Sequence, residues 1–228
     1  MIESTDEGRI RTVTLARPDR KNALTPAGLD DLATAVSEAD VPVVYLRGAG
    51  DAFCAGADLD VVDELDRDAA ASLARRGQET ATAIAEADSV VVAGIDGAAR
   101  GGGVELALAC DVRVATPAAT LGEPGVTFGL FGAWGGTVRL PRIVGEGQAM
   151  DFSLSGRVVD AEEARRIGLV SRVVADPRAV AEEVAANDEA ALSVLKERLH
   201  DDADRATREE REVAAFADLA AGRRSRKD

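Results

Sequence analysis

Three times before Thr137 the chain passes from a short β-rich run into a glycine-bearing segment. Residues 41–46 (VPVVYL) lead to residues 53–59 (FCAGADL), and residues 89–95 (SVVVAGI) lead to residues 96–105 (DGAARGGGVE). Residues 112–115 (VRVA) lead to residues 121–129 (LGEPGVTFG) and on to Gly135 and Gly136. A strand exit without side chains lets a ligand approach the main chain closely. A helix that starts there leaves its first N–H groups unpaired and pointing outward. Two such donors can hold a carbonyl oxygen that gains negative charge during a reaction. Any one segment alone reads as an ordinary strand-to-helix turn. Three in order weaken that reading, and the ordered blocks described below tip it toward a backbone-lined site.

Between these segments strand and helix patterns alternate. Residues 10–15 (IRTVTL) alternate apolar and polar positions, as a half-buried strand does. After a loop over 17–22, Thr25 is placed as an N-cap and Pro26 as the first helical residue, with Leu29, Leu32 and Val36 at helical spacing. Residues 68–87 read as a long Ala-rich helix, and residues 89–95 as a strand buried on both faces. Beyond Arg142 strands become scarce. Asp160 and Glu163 make an Asp version of a capping box for a helix over 161–167 that Gly168 stops. Residues 169–174 read as a short strand, and from Pro177 the chain is helical and charged. The expectation is an α/β layered fold, with a core over residues 1–175 and a helical C-terminal region over 176–228. The basic run 223–227 reads as a solvated terminus.

Composition narrows the chemistry. With 46% hydrophobic residues the chain can bury a core and is not a disordered segment. A net charge of -14 disfavours nucleic-acid binding through a basic face. No apolar run approaches the ~20 residues of a membrane span. The N-terminus lacks a basic start and an apolar stretch, so a cytoplasmic protein is expected. Only three of the 27 basic residues are Lys. That balance suggests a halophile's salty cytoplasm, where self-repulsion is screened, with a GC-rich genome as the alternative. Cys54 and Cys110 form no CxxC, and His200 is the single histidine. Zinc sites of the usual spacing and His-based triads are therefore excluded, and no metal site is expected. Carboxylates and backbone groups remain.

Five ordered blocks carry a resemblance. RPDRKNAL (17–24), FCAGADL (53–59), DGAARGGGVELALACD (96–111), LGEPGVTFGLFGAWGGTVRLPRIVG (121–145) and GRVVDAEEARRIGLVSRVV (156–174) are similar in sequence and spacing to blocks of the crotonase superfamily, the enoyl-CoA hydratase/isomerase family. The resemblance implies a spiral of ββα units with a helical C-terminal region. It also implies binding of an acyl-CoA or enoyl-CoA thioester, with coenzyme A as part of the substrate and no separate cofactor. The thioester oxygen would sit in an oxyanion hole of the Ala57 and Gly102 N–H groups. Lys21, Ala23, Ala55, Ala57, Asp58, Leu59, Asp60, Gly101, Gly125 and Trp134 would contact substrate, Trp134 either walling the acyl pocket or packing in the core or an oligomer contact. A homotrimer or dimer of trimers, built partly on the C-terminal helices, is the implied assembly.

Glu105 is the first catalytic candidate. It lies in the first turn of a helix, where an acidic residue also complements the helix dipole; within GGGVE it matches one of the two glutamates of family hydratases. The helix N-terminus should favour its ionised form and suit it to base chemistry. The second family glutamate directly follows the proline, and here that position is Gly125. Glu123, two residues earlier, is the weaker candidate: in an extended segment positions i and i+2 share a face, though a surface or supporting role is the competing reading. The chain also stops where many members continue through another helix, which suggests a more open CoA end or completion by a neighbouring subunit. The expected function is a hydratase or isomerase acting through a thioester enolate. Isomerase, decarboxylase or thioester hydrolase chemistry, or non-catalytic CoA-thioester binding, are the alternatives.

Overall fold

The long apolar runs become strands of one sheet, and the short segments that follow them become strands of a second. The computed structural model describes residues 1–225, and side chains to residue 223; residues 226–228, with the end of the basic run 223–227, lie outside the described residues. The strands are β1 (Ile2–Glu7), β2 (Ile10–Leu15), β3 (Val43–Gly48), β4 (Ala52–Cys54), β5 (Val90–Ile95), β6 (Ala98–Arg100), β7 (Val112–Ala115), β8 (Thr120–Gly122), β9 (Val158–Asp160) and β10 (Arg172–Val173). The helices are α1 (Pro26–Ser37), α2 (Leu59–Val62), α3 (Arg67–Ala85), α4 (Gly102–Ala109), α5 (Gly136–Val144), α6 (Glu146–Ser155), α7 (Ala161–Arg166), α8 (Pro177–Ala185), α9 (Glu189–His200) and α10 (Arg205–Ser225).

The larger sheet has the order β1-β2-β3-β5-β7-β10, and the smaller has β4-β6-β8-β9. All neighbours in the larger sheet are parallel except the β1–β2 hairpin, and in the smaller only β8–β9 is antiparallel. Each turn of the spiral therefore runs a strand through the larger sheet, a strand through the smaller one, and then helical chain. β3-β4-α2/α3, β5-β6-α4 and β7-β8-α5 are three such ββα units, the fold class the sequence predicts. The small sheet thus brings three glycine-rich strand exits side by side.

Local chemistry explains the element ends. Thr25 accepts a hydrogen bond from the Gly28 N–H and Pro26 opens α1, whose Leu29, Leu32 and Val36 are buried. All six residues of β5 are buried, as a central parallel strand demands. Asp160 caps α7 through the Glu163 N–H, but the reciprocal half of the predicted capping box goes elsewhere: the Glu163 carboxylate binds Arg157 and Arg166. The strand predicted over 169–174 shortens to Arg172–Val173. β1 is an unforeseen edge strand, polar and mostly exposed. α8 lays Val180, Ala181 and Ala185 against Ile10, Val43, Tyr45 and Val92 of the larger sheet. α9 buries no residue fully and is pinned by polar contacts, Lys196 Nζ reaching Asp111 at 2.9 Å and the Ser89 carbonyl at 2.8 Å. Among the described residues no helix is long and apolar enough to cross a membrane.

Candidate active site

The loop after β2 sets the position of the first glycine-rich exit. Lys21 and Asn22 both adopt left-handed backbone conformations, φ 49° and 58°, which cost an L-residue about 1–2 kcal/mol each. Asn22 offsets that cost. Its side chain is buried, accepts from the Arg17 N–H and donates to the carbonyls of Ala49 and Ala52 at 2.9 and 2.7 Å. The Lys21 carbonyl in turn accepts the Ala55 N–H at 2.9 Å. Leu24 then forms an isolated parallel bridge: its N–H donates to the Gly56 carbonyl and its carbonyl accepts the Asp58 N–H. Amides alternate in direction along an extended segment, so pairing Asp58 inward turns the Ala57 N–H the other way, toward the cavity that Ala57 lines.

The second exit delivers a partner donor. Gly102 opens α4, and its N–H has no place in the helical ladder. Gly56 has φ 87°, and a Cβ there would lie 2.8 Å from both the Arg100 carbonyl oxygen and the Gly102 nitrogen. Only glycine permits that approach, which brings the Ala57 segment against the start of α4. Among the described residues neither the Ala57 nor the Gly102 N–H donates to a protein acceptor.

Glu105 lies one turn further along α4 and is 1% exposed. Its Oε1 accepts the Trp134 N–H at 2.9 Å and the Gly136 N–H at 2.7 Å. Oε2 takes no protein donor among the described residues, and the side chain lines the cavity. The cradle is tight: a Cβ on Gly132 would sit 2.6 Å from the Glu105 carboxyl carbon, and one on Gly136 2.7 Å from Oε1. Burial raises the Glu105 pKa above the usual carboxylate value, outweighing the two backbone N–H groups and nearby Arg139. This reverses the expectation of a simply ionised helix-terminal acid: α4 is buried along its whole length, so desolvation exceeds the dipole.

The third exit differs from its predicted form. Residues Pro124–Phe128 make a 3-10 turn, not an extended segment, so the i, i+2 relation between Glu123 and Gly125 does not hold. Glu123 is nonetheless buried, 8% exposed, and lines the same cavity as Glu105. It precedes the turn but does not cap it, and among the described residues nothing donates to its carboxylate. Burial and then the Glu105 charge push its pKa up to about 8. Gly125 also lines the cavity, and a Cβ on it would meet the Leu130 carbonyl oxygen at 3.1 Å and Phe131 Cα at 3.2 Å.

These groups open on one cavity of about 510 Å³ whose far wall is apolar, with Leu59, Val62, Leu73, Phe128 and Phe131 among its lining. That volume suits a small-molecule site. The Trp134 indole closes it, packed where a Cβ on Gly77 or Gly102 would come within 2.1 or 2.2 Å of the ring.

The profile of the enoyl-CoA hydratase/isomerase family matches residues 5–222. The chain belongs to that family. YngF, an enoyl-CoA hydratase/isomerase homologue of Bacillus subtilis, is 44% identical over 181 residues, 76% of this chain and 70% of that one. The crotonyl-CoA hydratase of Syntrophomonas wolfei is 38% identical over 173 residues, 74% of this chain and 66% of that one. A Thermobifida fusca structure solved in complex with CoA superposes with a TM-score of 0.87 at 31% identity, covering 98% of this chain and 94% of its own.

Within this enoyl-CoA hydratase/isomerase fold the sequence-predicted site residues divide into two sets. Ala55, Ala57, Leu59, Gly101, Gly102, Glu105, Glu123, Gly125 and Trp134 all line the cavity. Lys21, Ala23, Asp58 and Asp60 do not. Lys21 is exposed, Ala23 is buried behind the loop, and Asp60 is exposed and paired with Arg20. Asp58 is buried by design of the loop: it binds Arg17 at 2.6 Å and Arg20 at 3.2 Å and caps α2. Burial works against its charge, but these partners hold its pKa below the usual value. What sequence reasoning missed is the cradle around Glu105. Gly132, Gly136 and the Trp134 amide were visible only as a glycine-rich loop, because their partner lies 31 residues away from Gly136.

Proposed function

We propose that the protein acts on an acyl-CoA thioester as a hydratase or isomerase, through a thioester enolate held by the Ala57 and Gly102 amides, with Glu105 moving the proton. The observation that carries this reading is the convergence of two unpaired amides, from different ββα units, on a cavity that also holds a buried carboxylate. An enolate concentrates charge on the thioester oxygen only as the reaction proceeds, so fixed donors aimed at it lower the barrier more than they tighten substrate binding. The Gly102 donor also lies at the positive end of α4. Glu105 is anchored through Oε1, which leaves Oε2 to take a proton from water or from the acyl chain. For hydration, Oε2 accepts a proton as the water oxygen bonds to the β carbon. The C=C electrons pass to the thioester oxygen, and protonation of the α carbon completes the addition.

Coenzyme A is part of the substrate in this scheme, so no further cofactor is required. The exposed Leu195, Leu199, Val213 and Phe216 of α9 and α10 support assembly as a homotrimer or dimer of trimers through the C-terminal helices. Crotonyl-CoA hydration, followed by loss of the enoyl thioester absorbance, is the direct test. An inactive wild type would remove the hydratase reading and leave double-bond isomerisation, assayed with a 3-enoyl-CoA, in its place.

A further inference from the structure

Behind Glu123 lies a second, small chamber of about 50 Å³, bounded by Thr137, Ser153, Gly132 and Gly136 as well as by Glu123 itself. Glu123, with Phe131 and Gly132, lines both this chamber and the main cavity. Val126, Phe131 and Leu140 make most of its lining apolar, and Glu123, Thr137 and Ser153 are the side chains that could hydrogen-bond a water, for which the chamber is large enough. Thr137 is exposed, so the chamber borders the surface there.

Resting on the acyl-CoA reading above, we propose that Glu123 is the second catalytic carboxylate of this site, donating the proton to the substrate's α carbon and recovering it through water in the Thr137–Ser153 chamber. Four observations support this. Glu123 is 92% removed from solvent, being 8% exposed, yet it neither caps the turn it precedes nor accepts a hydrogen bond from a described residue. A buried carboxyl without partners is costly unless it is protonated, and a protonated one is a donor. Burial, and then the nearby Glu105 charge, disfavour the ionised form of Glu123. The environments also divide the roles: Glu105 has two backbone donors stabilising a carboxylate, and Glu123 has none. Two carboxyls in one site with such different surroundings serve as base and acid. Finally, Gly125 carries no side chain, and among the residues lining the cavity Glu123 is the one carboxylate besides Glu105.

The proton count closes. Glu105 takes one proton from the attacking water while Glu123 gives one to the α carbon. The product leaves, Glu105 releases its proton to solvent, and Glu123 regains one from water in the chamber, with no net change.

The test follows α-proton exchange of bound butyryl-CoA in deuterated water alongside crotonyl-CoA hydration. Glu123→Gln, which keeps size and shape, is expected to slow exchange about 100-fold, to leave KM within about twofold, and to abolish the loss of activity above about pH 8 that deprotonation of Glu123 imposes. The double change Thr137→Val with Ser153→Ala is expected to slow exchange several-fold without altering binding. Unchanged exchange in Glu123→Gln, or an unchanged alkaline limb, overturns the assignment, and unchanged exchange in the double variant overturns the chamber's part in it. A wild type that exchanges the α proton but does not hydrate overturns the hydratase reading alone and leaves Glu123 in its role.

Discussion

The exits of β6 and β8 lie side by side in the small sheet, and each carries one glutamate into the same cavity. The β6 exit passes directly into a regular helix. Glu105 is fixed there by helix geometry, by two backbone donors and by glycines that leave its carboxyl no room to move. The β8 exit passes through proline into a 3-10 turn, and Glu123 is held only by being enclosed. Chemically identical side chains thus acquire different proton affinities: burial raises both, backbone donors oppose it at Glu105, and the Glu105 charge adds to it at Glu123. A main-chain cradle stabilises the charged form, and an empty one disfavours it.

That contrast is open to direct attack. The largest effect is expected from Glu105→Gln, which removes the charge but keeps the two N–H contacts. Turnover should fall about 1000-fold with little change in KM, as read by steady-state kinetics on crotonyl-CoA. Gly136→Ala leaves both carboxylates present but forces a methyl group to within 2.7 Å of Oε1. Displacing the Glu105 carboxylate in this way should reduce turnover about 100-fold, with circular dichroism reporting an intact fold.

The next effect concerns stability and fixes a sign. The folded-state pKa of Glu123 is raised to about 8, so its protonated form favours the folded state. That contribution is fully present below the unfolded carboxyl pKa, is lost as pH rises toward 8, and is absent above it. Relative to Glu123→Gln, the wild type should therefore lose stability between pH 5 and 8 by at most about 1.4 kcal/mol per unit, visible in denaturant melts across that range. The smallest effect is expected at the β4 exit, where Asp58→Asn weakens the contacts to Arg17 and Arg20 but keeps a polar cap. It should cost about 1–2 kcal/mol and shift kcat less than either glycine or glutamate change.

The legible parts of the molecule are those written in local pattern. The Thr25–Pro26 start of α1, the all-apolar β5 and the Asp160 cap needed no tertiary information. β1 was invisible because IESTDE pairs only along one edge and buries almost nothing. The three-residue strands β4, β6 and β8 are too short to show a period of two. At the site, Glu105 and the glycine exits stood out from the ordered motifs, whereas the Trp134 and Gly136 donors came from a distant segment. The burial of Glu123 was hidden for a comparable reason. GEPG looks like an exposed turn, and only the packing of residues 130–136 over it makes the position interior. Asp58 lies inside a binding motif, and its carboxylate pairs with Arg17 and Arg20.

Trp134 is the only tryptophan in the 228-residue chain, and it sits in the cavity wall with its ring against Gly102 and its amide on Glu105. Its emission therefore comes from one place, beside the groups assigned to the chemistry. Quenching or a spectral shift on adding a thioester would report occupancy of that cavity in the unlabelled protein. Stopped-flow fluorescence could then separate ligand arrival from the proton transfers that follow it.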